Sequence, residues 1–95
     1  MTRAGAITAD SAPRLAPGVR LKDDKARGQT VLLAPERVLV PDATAIVVLR
    51  RLDGARTVSQ LSEDLAAEYD APAETIRADV LEMLADLSEK GFVEP

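Results

Sequence analysis

Three short segments in the first half of the chain have the hydrophobic pattern of β-strands. Val19–Lys22 alternates apolar and charged residues, which is the two-residue period of a half-buried strand. The runs Thr30–Leu33 and Arg37–Val40 follow it, separated by a polar turn at residues 23–28 and a tight turn at residues 35–36. This spacing predicts a three-stranded antiparallel meander, which needs another layer packed on one face to be stable.

The second half of the chain has the three- to four-residue period of amphipathic helices. Asp42 is the expected N-cap of a first helix that ends before Gly54, and Thr57 with Gln60 predicts a capping box at the start of a second. Asp70 is the expected cap of a third helix over residues 72–90, with Gly91 ending it in a Schellman cap. The predicted apolar stripes are Ala45, Ile46, Leu49 and Leu52, then Val58, Leu61, Leu65 and Tyr69, then Ile76, Val80, Met83, Leu84 and Leu87.

The order of these elements predicts the fold class. Three strands followed by three helices, joined by short connections, indicate an α+β domain that resembles a winged helix with the wing placed first. We expect this domain to span residues 14–95. Residues 1–13 are small, polar and aperiodic, and are expected to form a flexible N-terminal arm.

Composition narrows the possible functions. The 95 residues include no cysteine and no histidine, so the common nucleophile–base pairs and zinc sites cannot be built. We therefore expect a protein that is not an enzyme and has no metal or cofactor. No apolar run is long enough for a membrane span, and the N-terminus lacks the apolar stretch of a secretory signal. A cytoplasmic protein with no membrane partner is the expectation.

Charge is divided unequally between the two halves. Residues 1–40 carry seven basic and four acidic side chains, whereas residues 41–95 carry five basic and twelve acidic ones. Winged-helix DNA binding is an alternative function for this order of elements. The predicted last helix is acidic, however, which disfavours contact with phosphates, so no nucleic-acid partner is expected. Asp79, Glu82 and Asp86 share one face of that helix, which we interpret as a solvated face rather than a cation site.

The segment Arg37–Val40 raises a question about partners. Pro35 precedes it by one residue and Pro41 follows it, and prolines favour sheet edges because they cannot donate to a ladder. The open side of such an edge strand is either simply solvated or pairs with an extended peptide by β-augmentation. The residue pattern alone leaves both interpretations open.

Several runs resemble the PqqD family of pyrroloquinoline quinone biosynthesis. They are "PRLAPGVRL" from Pro13, "GQTVLLAPER" from Gly28, "LDGARTVSQLSEDLAAEYDAP" in the helical half and "ADVLEMLADLSEKGFVEP" at the C-terminus. The resemblance covers residues 13–95. The chain departs from the family at Thr30, where an aromatic is frequent, and at the turn formed by Pro41 and Asp42.

The resemblance implies a peptide chaperone. Such proteins bind the precursor peptide PqqA and present it to the radical S-adenosylmethionine enzyme PqqE, and related domains recognise precursors in other peptide-modifying systems. The peptide is then expected along the third strand, against the last helix. The residues implied are Arg37, Val38, Leu39 and Val40 on the strand and Arg77, Val80, Leu81 and Leu84 on the helix. A structural appendage of a larger enzyme is a further alternative, since PqqD-like domains also occur fused to pathway proteins.

Overall fold

The computed structural model describes residues 6–95, and within them it has five strands and three helices. The strands are β1 (Arg14–Leu15), β2 (Arg20–Asp24), β3 (Gln29–Ala34), β4 (Arg37–Leu39) and β5 (Val93–Glu94). The helices are α1 (Ala43–Leu49), α2 (Val58–Tyr69) and α3 (Ala73–Glu89). The α+β prediction is confirmed, because β2, β3 and β4 form a three-stranded antiparallel sheet followed by the three helices.

A second, two-stranded sheet was not predicted. Arg14 pairs with Glu94 and Leu15 with Val93, so the segment between Pro13 and Pro17 is a strand rather than only an extended lead-in. The Arg14 Nε donates to Glu94 Oε1 at 2.8 Å across this pair. The pairing joins residues 80 positions apart, and it holds the C-terminus beside the beginning of the domain.

The predicted N-terminal arm lies only partly in the described region. Residues 1–5 lie outside the described residues, whereas the carbonyls of Ala9 and Ser11 accept hydrogen bonds from the N–H groups of Ser59 and Val58 at the start of α2. The Pro13 side chain is buried. The domain boundary at residue 13 stays a prediction, and these contacts attach the described part of the arm to the helical half.

Two helix boundaries differ from the sequence expectation. α1 ends at Leu49, and Gly54 instead has a φ of +76° in the following loop, where its N–H donates to the Pro13 carbonyl. Asp70 is the left-handed C-cap of α2 rather than the N-cap of α3, and Pro72 takes that N-cap position without a side-chain hydrogen bond. A left-handed residue ends the helix here because it turns the chain away from the axis.

The other predicted caps are confirmed. Asp42 Oδ1 accepts from the Ala45 N–H at 2.8 Å, and Thr57 with Gln60 forms the reciprocal capping box. At the end of α3, Gly91 with a φ of +84° donates to the Ser88 carbonyl, and Phe92 donates to the Leu87 carbonyl. These two bonds define a Schellman cap.

The core lies between the helices and one face of the three-stranded sheet. We call this face of the sheet the inner face and the opposite one the outer face. Leu32 is the fully buried inner-face residue, and Leu21, Ala34 and Leu39 pack against the same cluster. The helical residues of the core are Ala45, Val48, Leu49, Val58, Leu61, Leu65, Val80, Leu84 and Leu87, with Phe92 and Val93 after the last helix.

Candidate functional site

Strand β4 has one open side. The order of the sheet is β2, β3, β4, so β4 pairs with β3 alone. A two-residue turn joins these strands, with Glu36 at a φ of +65°, and the pairs are Ala34 with Arg37, Leu33 with Val38 and Leu32 with Leu39. Pairs next to such a turn are hydrogen bonded and then alternate along an antiparallel ladder. The N–H and C=O of Val38 are therefore expected to point to the open side, and those of Leu39 toward β3.

The side chains of this segment alternate between the two faces of the sheet. Leu39 is half-buried and packs against the core, whereas Val38 and Val40 are 65% and 57% exposed. Leu39 therefore belongs to the inner face, and the two valines belong to the outer face. The sequence pattern left this choice open because residues 38, 39 and 40 are all aliphatic.

Arg37 closes one end of the space between β4 and α3. Its Nη1 donates to the Lys90 carbonyl at 2.6 Å, and its guanidinium carbon lies 4.4 Å from the centroid of the Phe92 ring. Since Lys90 is the C-cap of α3, the positive charge also lies at the negative end of the helix dipole. The start of β4 is thereby fixed against the end of α3.

An apolar cleft lies where the chain leaves β4 and enters α1. It has a volume of ≈ 570 Å³ and lies between the beginning of α1, the end of α2 and the first half of α3. Its apolar lining comprises Ala43, Ala45, Val47, Val48, Leu65, Tyr69, Ala71, Ile76, Val80 and Met83, and its polar residues are Asp42, Thr44 and Asp79. Asp42, a lining residue, follows the end of β4 by three residues, and no residue of β4 itself lines the cleft.

The residues predicted on α3 are distributed over different sides of the helix. Val80 and Leu84 are core residues, and of these Val80 also lines the cleft. Leu81 is rotated about 160° around the helix from Met83, and Arg77 lies one turn before Leu81 on the same flank. Neither Leu81 nor Arg77 lines the cleft.

Arg37 and Arg77 are also far apart along the helix. Arg77 precedes Lys90, the contact of Arg37, by 13 residues, which corresponds to about 20 Å of helix. The two arginines therefore do not form one rim. On the inner side Leu39 packs against the core that includes Val80 and Leu84, and Arg37 contacts Lys90 after the end of α3. Val38 and Val40 contribute side chains to the outer face, and their main-chain groups are expected at the open edge.

Sequence reasoning missed Ile76, Asp79 and Met83 as lining residues of the cleft. Ile76 and Met83 belong to the predicted core stripe, and they are half-buried at the margin of the core. Positions 76, 79, 80 and 83 have the three- to four-residue spacing of one helix flank. This spacing identifies the lining residues only when the position of the Asp42 cap relative to α3 is also known.

Ion pairs attach the C-terminal end of α1 to β2 and to α2. Arg50, the C-cap of α1, donates through Nη2 to Asp23 Oδ1 at 2.8 Å, and Thr30 donates to the same oxygen. These hydrogen bonds lower the pKa of Asp23, the one from Arg50 most strongly. Arg51 forms a two-pronged pair with Glu68 of α2, with Nη2 to Oε1 at 2.7 Å, and this hydrogen bonding lowers the pKa of Glu68.

Other kinds of site are not seen in residues 6–95. No cluster of three or more acidic side chains there is arranged to hold a metal ion, including the set Asp79, Glu82 and Asp86 on α3. None of the helices in that range has the length and apolarity to span a bilayer. Both outer strands of the three-stranded sheet, β2 and β4, have an unpaired edge, and only β4 is followed within three residues by a lining residue of the cleft, Asp42.

An exposed strand edge beside an apolar cleft is the arrangement of domains that hold extended peptides by β-augmentation. The family model for coenzyme PQQ synthesis protein D (PqqD) matches residues 29–93, and the chain belongs to this family. Two curated relatives, named PqqA binding proteins, come from strains of Xanthomonas oryzae pv. oryzae. Each is 54% identical over 84 residues, which cover 88% of this chain and 91% of the relative.

Solved structures agree with this assignment. The solution structure of the PqqD truncation of Methylobacterium extorquens PqqCD has a TM-score of 0.82 at 45% identity, covering 96% of this chain and 97% of that chain. That protein is described as a functional, stand-alone recognition element for ribosomally synthesised and post-translationally modified peptides. The crystal structure of PqqD from Xanthomonas campestris has a TM-score of 0.56 at 50% identity, covering 88% and 93% of the two chains.

Proposed function

We propose that this protein is a peptide chaperone of pyrroloquinoline quinone biosynthesis. It binds the precursor PqqA as an additional strand on the open side of β4 and presents it to the radical S-adenosylmethionine enzyme PqqE. The observation that carries the proposal is the unpaired edge of β4, which is followed three residues later by Asp42 at an apolar cleft. The names of the Xanthomonas relatives support PqqA as the peptide.

The free energy of peptide binding requires both the open edge of β4 and the apolar cleft. Val38 and Val40 offer up to four outward main-chain groups, and hydrogen bonds at about 0.5–1.5 kcal/mol each give about 2–6 kcal/mol. Micromolar binding needs about 8 kcal/mol, and ordering a flexible peptide costs several kcal/mol more. The difference is supplied by apolar side chains of the peptide, at about 1.5–3 kcal/mol for each one fully buried in the cleft.

The cleft has the chemistry for such an anchor. Its walls are aliphatic apart from Tyr69, and the carboxylates of Asp42 and Asp79 lie at its polar positions. A peptide residue with an apolar body fits this lining, and a basic or hydroxyl-bearing neighbour can interact with the two carboxylates. The chain itself contributes no catalytic group in this function: it holds and orients the peptide, while PqqE supplies the chemistry.

The test is a titration of ¹⁵N-labelled protein with synthetic PqqA. We expect the largest amide shifts at Val38, Val40, Asp79 and Met83, and small shifts in β2 and in the first two turns of α2. A peptide with the same composition and a shuffled sequence is the control and should cause no saturable shifts. The proposal fails if PqqA leaves residues 38–40 and the cleft unchanged at high micromolar concentration, or if it binds elsewhere.

A further inference from the structure

The outer face of the three-stranded sheet carries apolar side chains that the core does not use. Leu33, Val38 and Val40 belong to this face by the strand alternation and lie outside the core cluster, whereas Val31 on the same face is buried. Leu33 pairs with Val38, and the same register places Val31 opposite Val40. The exposed large apolar side chains in residues 6–95 are Val38, Val40 and Tyr69, so two of the three lie on this face.

Two cations border the apolar side chains. Arg20 pairs with Leu33 and Lys22 with Val31, which places both basic residues on the outer face of β2. Both are exposed, and neither forms an ion pair within the described part of the chain. The remaining carboxylate on this face of β2 is Asp24, whose Oδ2 lies 3.9 Å from Arg27 Nε. The face therefore has an apolar centre and a positive border.

We infer that this outer face is the docking surface for the enzyme that receives the bound peptide. The matching surface on that enzyme has an apolar centre and carboxylates that meet Arg20 and Lys22. The inference rests on the proposed function for the identity of the partner, PqqE. Paired apolar contact gives the affinity, while the opposite charges fix the orientation and increase the association rate.

The charges favour a different protein over a second copy of this chain. In a face-to-face dimer with twofold symmetry, the same surface meets itself. The facing surface would carry the same two cations, and its β2 carboxylate, Asp24, already lies near Arg27, so two basic surfaces would meet and repel each other. An acidic partner avoids this repulsion.

The position of this face explains how a docked enzyme reaches the peptide. A strand added to β4 continues the pleat, so alternate peptide side chains emerge on the outer face beside Val38 and Val40. The enzyme then contacts a surface formed jointly by this protein and its peptide. We therefore expect the enzyme to bind the peptide complex more tightly than the free protein.

The test measures PqqE binding and PqqA binding separately. The charge-reversed variant carries Arg20→Glu and Lys22→Glu, both on β2 and separated from the peptide edge by β3. The control is Glu63→Lys on the exposed, acidic side of α2. Far-ultraviolet circular dichroism confirms that each variant is folded.

We expect the charge-reversed variant to bind PqqE about tenfold more weakly or worse, with unchanged affinity for PqqA, and the control to bind both normally. Binding of PqqE to the wild type should weaken with added salt. Unchanged PqqE affinity in the charge-reversed variant overturns the inference, as does self-association of the wild type through this face in sedimentation. If PqqA does not bind, but PqqE binds and the charge reversal weakens that binding, the peptide-binding function is refuted and the docking surface is supported.

Discussion

The guanidinium of Arg37 lies over the ring of Phe92, with its central carbon 4.4 Å from the ring centroid. The same side chain donates to the Lys90 carbonyl at 2.6 Å. Arg37, at the start of β4, thus donates a hydrogen bond at the C-terminal end of α3 and covers the Phe92 ring of its Schellman cap. This contact fixes the start of β4 against the end of α3.

Replacing Arg37 by alanine should therefore destabilise the fold. The variant loses a charge-assisted hydrogen bond and a cation–π contact at a partly solvated site, together about 1–2 kcal/mol. In a domain of this size each kcal/mol lowers Tm by about 4–8 °C. Arg37→Lys should recover only part of the loss, because an ammonium lacks the planar fork. The measurement is urea unfolding, with Arg20→Ala as the control, and equal midpoints for the two alanine variants would contradict the role assigned to Arg37.

Acid should weaken the connection between the loop after α1 and helix α2. Hydrogen bonding to Arg51 lowers the pKa of Glu68, so Glu68 binds its proton more readily in the unfolded chain than in the folded one. Its contribution to stability is therefore complete at neutral pH and is lost as the pH falls below about 4.5, through the lowered pKa of the folded state. Asp23 follows the same direction because Arg50 and Thr30 lower its pKa.

The measurement is the urea midpoint as a function of pH for the wild type and for Glu68→Gln. We expect a shallower decrease on acidification in the variant, because it no longer has the carboxylate that takes up a proton on unfolding. Glu63→Gln, which changes an exposed carboxylate on the same helix, is the control and should follow the wild type. If the two variants have the same pH dependence, the pair between Arg51 and Glu68 does not couple to folding.

Local patterns predicted most of the fold, and two of the errors have a common cause. The sheet, the capping box at Thr57 and the Schellman cap at Gly91 depend on neighbouring residues, and all three were predicted. The pairing of β1 with β5 joins opposite ends of the chain. Similarly, Gly54 lies beyond the end of α1. It has a positive φ, and its N–H donates to the carbonyl of Pro13 in a distant segment. Such long-range pairings leave no periodic signal in the sequence.

The edge strand was predicted more accurately than the side chains around it. Pro35 and Pro41 identified β4, but the run of three aliphatic residues from Val38 to Val40 has no period-2 alternation. Which of them faces inward depends on the register with β3, and the register follows from the turn at Pro35 and Glu36. The flank of α3 that faces the cleft depends in turn on how α1 is placed, which helical periodicity does not determine.

The two flanks of α3 provide a matched test of the cleft. Met83 and Leu81 are both half-buried apolar residues that pack against the core, but only Met83 lines the cleft. Met83→Gln should weaken PqqA binding by about 1.5–3 kcal/mol, equivalent to roughly 10- to 150-fold, because a peptide anchor loses an apolar contact. Leu81→Gln should reduce stability similarly without changing the affinity. Fluorescence anisotropy with labelled PqqA measures both, and a larger effect at Leu81 would place the peptide on the opposite flank.

Proline substitutions distinguish the two sides of β4. The Val38 N–H is expected to point to the open edge, so Val38→Pro removes a donor for the peptide and leaves the ladder with β3 complete. Val38→Pro should therefore remain folded and bind PqqA about 5- to 10-fold more weakly or worse, since one hydrogen bond is lost and the ring obstructs the added strand. The Leu39 N–H points toward β3, so Leu39→Pro should disrupt the sheet itself.

Circular dichroism and urea unfolding, measured beside the binding assay, separate these outcomes. Val38→Ala is the matched control for Val38→Pro, because it shortens the same side chain and keeps the N–H. It should bind PqqA nearly as well as the wild type, since the Val38 side chain lies on the outer face and does not line the cleft. If Val38→Pro binds as tightly as Val38→Ala, the peptide does not pair with this edge. If instead Val38→Pro unfolds while Leu39→Pro does not, the hydrogen-bonding register assigned to β4 is reversed, and the open side of the strand presents the groups of Leu39.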